Sequence, residues 1–211
     1  MSEIRITELL SDSERHVAEK EEAHVVVLEK TFGEPADDLW RALTDPGHLA
    51  RWFGRVEGDL RSGGRYRLAD SGMEGEVRTC ESPRHLSLTW DDRGEAASEL
   101  TLVLTEGQDG TTLTLRHTVA ENEHWRTFGP AAVGVGWDGA LTALALSLRG
   151  DERADPSRMA RIHETEDGRA FIDESAQAWG RAHVAAGADE GEARTAARRT
   201  ASFYRGEEQP G

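Results

Sequence analysis

Few side chains in this sequence have the chemistry of an active site. His117 is the foremost acid–base candidate, because an unperturbed imidazole titrates near neutrality. It shares one face of an alternating stretch with Leu113, Leu115 and Val119. A histidine so placed is either a general acid–base group or a core residue bonded to one backbone group. Tyr66, with Arg67 beside it, offers a second proton donor or an orienting hydroxyl. His117, Glu121, Glu123 and His124 can be drawn together as metal ligands, but a strand end followed by a loop has neither HExxH nor two histidines at i, i+4. No metal is expected. Gly134, Gly136 and Gly139 spell GxGxxG, yet a dinucleotide site needs those glycines at a strand-to-helix turn in a βαβ unit, and here they follow Pro130 inside a helix. No cofactor is expected, and the sequence holds no GxSxG elbow and no P-loop. The single cysteine, Cys80, reads as a small buried hydrophobe; it forms no internal disulfide and fits a reducing compartment.

Such groups act only where rigid elements hold them. The dominant element is residues 130–150, PAAVGVGWDGALTALALSLRG, in which Trp137, Leu141, Leu144 and Leu148 recur at i, i+4, i+7 and i+11 and Val133 extends the stripe. Pro130 suits the first turn and Gly150 the position past the end. Each of the three internal glycines costs about 0.5–1 kcal/mol relative to alanine. The spacing therefore predicts a close approach on that half, by a neighbouring strand or by a ligand.

Ahead of this helix, Ala23–Phe32 is rich in β-branched residues and reads as a strand. Ala36–Thr44 and residues 48–53 form a helix–loop–helix around Asp45-Pro46-Gly47, with Leu39, Trp40, Leu43, Leu49, Trp52 and Phe53 as its apolar members. From residue 55 to 119 the period becomes two. Strands are predicted at Arg65–Leu68, 75–80, His85–Trp90, 100–104 and around 113–119, separated by turns at Ser62-Gly63-Gly64, Asp70-Ser71-Gly72, Asp91-Asp92-Arg93-Gly94 and Gln108-Asp109-Gly110. Short links make an antiparallel meander, and its apolar side needs the long helix as cover. The expected class is α+β, with sheet wrapped around helix.

After Gly150 a polar linker leads to helices at residues 170–186 and Glu190–Tyr204, the second opened by Asp189 with Glu192 three residues on. Their thin alanine-rich stripes predict docking on the main domain or a homodimer contact. Residues 1–22 are polar apart from Ile4, Ile6, Leu9 and Leu10, and are read as a short helix, a strand or an arm.

Charge narrows the partners. With 25 basic against 40 acidic residues and a net charge of −15 over 211 residues, neither nucleic acid nor an anionic membrane is expected as a partner. No run approaches the roughly 18 apolar residues of a membrane span, and the start has no secretory apolar region, so a cytoplasmic location is expected.

Specific residues carry a resemblance. Residues 32–53, FGEPADDLWRALTDPGHLARWF, resemble the opening of the activator of Hsp90 ATPase homologue family, a branch of the SRPBCC or START-like superfamily. Gly63-Gly64-Arg65-Tyr66, Gly75-Glu76-Val77 with Pro83, Leu86 and Trp90, the run LTLRH ending at His117, and Gly136-Trp137 with Leu141 and Leu144 are similar to its later motifs. The resemblance covers residues 23–150 and leaves 1–22 as an N-terminal arm and 151–211 as a helical extension. It implies the helix-grip fold, in which a curved antiparallel sheet grips the long helix around a cavity. The stretch AENEHWRTFGPAAVGV, between His117 and Trp137, is longer and richer in aromatics than the family's usual connection.

Inward residues would line the cavity: Trp40, Trp52 and Phe53 from the helix pair; Tyr66, Leu88, Trp90, Leu102 and His117 from the sheet; Trp137 and Leu141 from the long helix. The expected function is the binding, sequestration or transport of a small hydrophobic or amphipathic molecule. One alternative is a polyketide cyclase or hydrolase-like enzyme with His117 or Tyr66 as acid–base. The other is stimulation of an Hsp90-type chaperone ATPase, for which the short stretch before Ala23 leaves no room for a further co-chaperone domain.

Overall fold

A computed structural model describes residues 5–20, 23–90 and 98–207. The predicted turn at Asp91-Asp92-Arg93-Gly94, and Ile4 of the N-terminal cluster, lie outside the described residues. Among the described residues eight strands form one antiparallel sheet: β1 (Ser13–Lys20), β2 (Ala23–Phe32), β3 (Val56–Gly58), β4 (Arg65–Leu68), β5 (Glu74–Glu81), β6 (His85–Trp90), β7 (Ser98–Gly107) and β8 (Gly110–Ala120). Their order across the sheet is β1-β2-β8-β7-β6-β5-β4-β3. The β2–β8 pairing sets the inner face, with Val26 opposite His117 and Leu28 opposite Leu115.

The meander matches the sequence pattern, and two strands extend it. β3 is a short edge partner of β4. β1 pairs with β2 from Ser13 opposite Lys30 to Lys20 opposite Ala23, so Ser13–Lys20 of the N-terminal segment is an edge strand, preceded by a 3-10 turn at Ile6–Leu10. Its composition hid it: SERHVAEK offers one apolar inward residue, Val17, and its other deep inward side chain is Arg15.

Helices α1 (Ala36–Thr44) and α2 (Pro46–Leu49) follow β2; the second is shorter than expected, and a turn carries the chain on to Phe53. Asp45 caps α2 by accepting from the His48 N–H at 2.9 Å. The long connection after β8 folds as α3 (Glu123–Phe128), capped by Asn122. α4 (Ala131–Leu148) then runs across the sheet, with Pro130 just before it and Gly150 past its end at φ +70°. Trp137 and Leu141 point to the sheet side. The opposite side is buried too, because the tail covers it. In length and composition α4 passes for a membrane span, yet 61% of it is buried inside the protein.

The tail comprises α5 (Pro156–Met159), α6 (Glu166–Ala185) and α7 (Glu190–Tyr204), both long helices docking within the same chain. α6 inserts Phe171 and Trp179, both essentially fully buried, into the same core as α4. A Cβ at Gly134 would lie 2.3 Å from the Trp179 indole, so at Gly134 the close approach expected on this half comes from the tail. α7 is tied back by two hydroxyls: Thr200 Oγ1 donates to the Phe128 carbonyl and Tyr204 Oη to the Ala132 carbonyl, each at 2.9 Å. The core continues without a break past residue 150.

Candidate functional site

Between α4, the helix pair and the sheet lies a cavity of about 90 Å³. The helix pair contributes Leu43, Leu49, Trp52 and Phe53; the sheet contributes Tyr66, Leu88, Trp90 and Leu102; α4 contributes Trp137 and Leu141. The sheet residues reach it because alternate residues of each strand point inward, and the α4 residues because they lie one turn apart on the sheet side.

The walls are almost wholly hydrocarbon and aromatic, and the polar atoms of Tyr66, Trp52 and Trp137 are engaged elsewhere. Tyr66 Oη donates to the Thr89 carbonyl at 2.7 Å, and Trp52 Nε1 to the Ala42 carbonyl at 3.1 Å. Tyr66 is therefore a packing residue, not the orienting hydroxyl that its type suggested. Arg67 is exposed near Glu74, outside the cavity. Trp40 is also a correction: it is buried on α1 one turn before Leu43 and Thr44, and the cavity begins only at those two.

His117 does not line the cavity either, but touches two residues that do. Its ring packs edge-on against Trp90 and Trp137, at centroid distances of 6.2 and 5.7 Å. Trp137 Nε1 donates to His117 Nδ1 at 3.0 Å, so its partner is an indole and not a backbone group. With Nδ1 accepting, the neutral ring carries its proton on Nε2. That Nε2 is buried and has no partner among the described residues. Burial pushes the pKa of His117 down to about 4, which keeps the ring neutral at physiological pH. A buried donor left without an acceptor costs about 1–3 kcal/mol.

The other candidate ligands do not gather at His117. The Glu121 carboxylate contacts His24 Nε2 and accepts from Arg126 Nε at 2.8 Å, while the His124 ring leans on Phe128. Trp125 stacks on His24 with centroids 4.1 Å apart, which is how the long connection closes over the sheet. The GxGxxG glycines lie within α4 beside a wholly antiparallel sheet, so no βαβ unit surrounds them.

Sequence reasoning missed the residues that hold this frame together. Asp138 on α4, 2% exposed, accepts from Arg15 Nε at 3.0 Å and Nη2 at 2.8 Å, from Ser175 Oγ at 2.6 Å and from Trp179 Nε1 at 2.9 Å. One carboxylate thus clamps β1 and α6 onto α4. Lys30, also buried, donates from Nζ to the Leu9 carbonyl at 2.7 Å, and burial lowers its pKa. The available signal was a lone aspartate in an otherwise uncharged 18-residue helix.

Comparison with known proteins agrees with this architecture. A family model described as Activator of Hsp90 ATPase homolog 1-like protein matches residues 34–148. The chain belongs to this family. Among solved structures, the crystal structure of CalU16 from Micromonospora echinospora is 32% identical with a TM-score of 0.66, covering 81% of this chain and 97% of CalU16. The solution structure of CalU16 gives 31% and 0.68, over 82% and 96% of the two chains. That coverage exceeds the span of the family domain, so the likeness to CalU16 takes in part of the chain outside residues 34–148. DynU16, a protein of the dynemicin biosynthetic locus, is 25% identical with a TM-score of 0.54, over 61% of this chain and 48% of its own. Comparison with curated proteins finds no match. In this member of the family, the helix grip expected from the sequence is the fold observed.

Proposed function

We propose that this protein is a cytoplasmic binding module that holds a small apolar aromatic molecule between α4 and the sheet, sequestering or carrying it without covalent chemistry of its own. The observation that carries this reading is the cavity itself: aromatic and aliphatic walls in which the polar atoms of Tyr66, Trp52 and Trp137 are already bonded, beside one buried N–H that has no acceptor among the described residues. Apolar walls with a few fixed polar groups are what ligand sites present. Likeness to DynU16 supports a biosynthetic small molecule as the occupant.

Native mass spectrometry under gentle and denaturing conditions tests the reading, together with tryptophan fluorescence titrated with fused-ring aromatic probes. The expected results are a co-purified mass released on denaturation, or quenching of Trp52, Trp90 and Trp137 emission by a probe. A clean apo mass with no fluorescence response to any probe refutes it.

The unpartnered Nε2–H of His117 favours a second reading, a cyclase or hydrolase-like activity in which this donor polarises a substrate carbonyl. There, His117→Ala abolishes turnover and only modestly weakens binding.

A further inference from the structure

We infer that the binding site is a two-chamber site whose outer half is built by the C-terminal tail, and that its ligand is an elongated, flat, largely apolar molecule. This inference rests on the ligand-holding reading above and specifies the shape of the occupant and the role of residues beyond Leu148.

The inner cavity is too small to hold such a ligand alone. An apolar cavity of about 150 Å³ accepts a single benzene ring, and the inner cavity measures about 90 Å³. On the other side of the same wall lies a groove of about 360 Å³. Among the described residues Trp52, Phe53 and Ala140 line both spaces, so these three side chains form the shared partition. Together the two volumes fall within the roughly 300–1,000 Å³ of small-molecule sites.

The floor of the outer groove is the glycine face of α4, and its far wall is the tail, with Met159, Ile162 and Tyr204. Tyr204 Oη is bonded to the Ala132 carbonyl, so it presents its ring. Gly139 is the second observation. Gly134 is required by Trp179, and a Cβ at Gly136 would come within 3.2 Å of Tyr204 Oη, but a Cβ at Gly139 would meet nothing within 4 Å. No contact among the described residues explains a glycine in mid-helix at that position, where helix propensity disfavours it. A flat molecule lying against the helix, with its inner end passing between Trp52, Phe53 and Ala140, does explain it.

Two probes and four proteins test this by tryptophan quenching: phenol as a single ring and 1-hydroxyanthraquinone as three fused rings, titrated into wild type, Gly139→Leu, Gly139→Ala and Leu102→Phe. Leu102 lines the inner cavity only. Gly139→Leu should weaken the three-ring probe at least tenfold, whereas phenol, too large for the inner chamber alone and too short to span both, should bind wild type at least tenfold more weakly than the three-ring probe. Gly139→Ala should raise the melting temperature and keep three-ring affinity within twofold. Leu102→Phe should weaken the three-ring probe; if it loses a cooperative melting transition, Leu88→Phe fills the same chamber from β6. If Gly139→Leu leaves three-ring binding unchanged while the inner-chamber variant weakens it, the two-chamber inference fails and the simpler cavity reading survives. If Gly139→Leu weakens the three-ring probe and the inner-chamber variant does not, the chambers are not joined. If wild type quenches with neither probe, both readings fall.

Discussion

Replacing Asp138 by alanine should be among the most damaging single changes available in this protein, even though Asp138 lies outside the cavity. Its carboxylate accepts four hydrogen bonds from three residues on β1 and α6. Arg15 is itself nearly buried, with its side chain 9% exposed, so removing the carboxylate leaves a cation with no counterion in a low-dielectric site. Breaking such a pair from one side costs about 3–5 kcal/mol, and each orphaned buried donor about 1–3 kcal/mol. These contributions share atoms and do not simply add. A loss of about 4–6 kcal/mol is expected, a large share of the roughly 5–15 kcal/mol that a domain has in total.

Urea denaturation followed by tryptophan fluorescence reads this loss directly, with Trp179 reporting from the site. A cycle separates charge burial from packing. Asp138→Leu alone keeps the unpaired Arg15, whereas Asp138→Leu with Arg15→Met removes both charges, so the double variant should be at least about 2 kcal/mol more stable than the single one. A loss below about 1 kcal/mol for Asp138→Ala, or equal stability of the single and double variants, would refute the clamp.

Other outcomes follow from the same packing. The pKa of His117 is lowered in the fold from 6.5 to about 4, so below pH 6.5 the unfolded chain takes up a proton that the native state refuses. Stability should therefore fall by up to about 3 kcal/mol between pH 6.5 and 4, and His117→Leu should remove that share of the slope in pH-dependent denaturation; an identical slope in the variant would contradict the assignment. Gly134→Ala, which would drive a methyl into the Trp179 indole, should lower stability by about 1–3 kcal/mol in the same assay. An unchanged or higher melting temperature would show that Trp179 does not require glycine there.

Much of the grip was legible in the sequence. Strand alternation, the Asp45-Pro46-Gly47 break and the long stripe of Trp137, Leu141 and Leu144 each report which side of an element is buried, and burial follows from local residue order. Most of the expected cavity wall was recovered for the same reason. What failed was the assignment of polar roles. Tyr66 was expected to present a free hydroxyl and is bonded to the Thr89 carbonyl, while the Trp137 indole takes Nδ1 of His117 and leaves Nε2 unpaired among the described residues; which of these atoms finds a partner is set by other segments of the chain.

The sequence by itself determined the α+β class, the meander, the central helix and the family, because period, turn chemistry and helix punctuation are local properties. Only the tertiary structure decided what Asp138, Arg15 and the α4 glycines are for. Arg15 and Asp138 stand 123 residues apart, and nothing in the pattern around either names the other. Gly134 is needed because of an indole 45 positions later, and Gly139 faces a groove closed by the tail. Contacts between distant segments arise only once the chain has folded, and those contacts set the size, shape and polarity of the site.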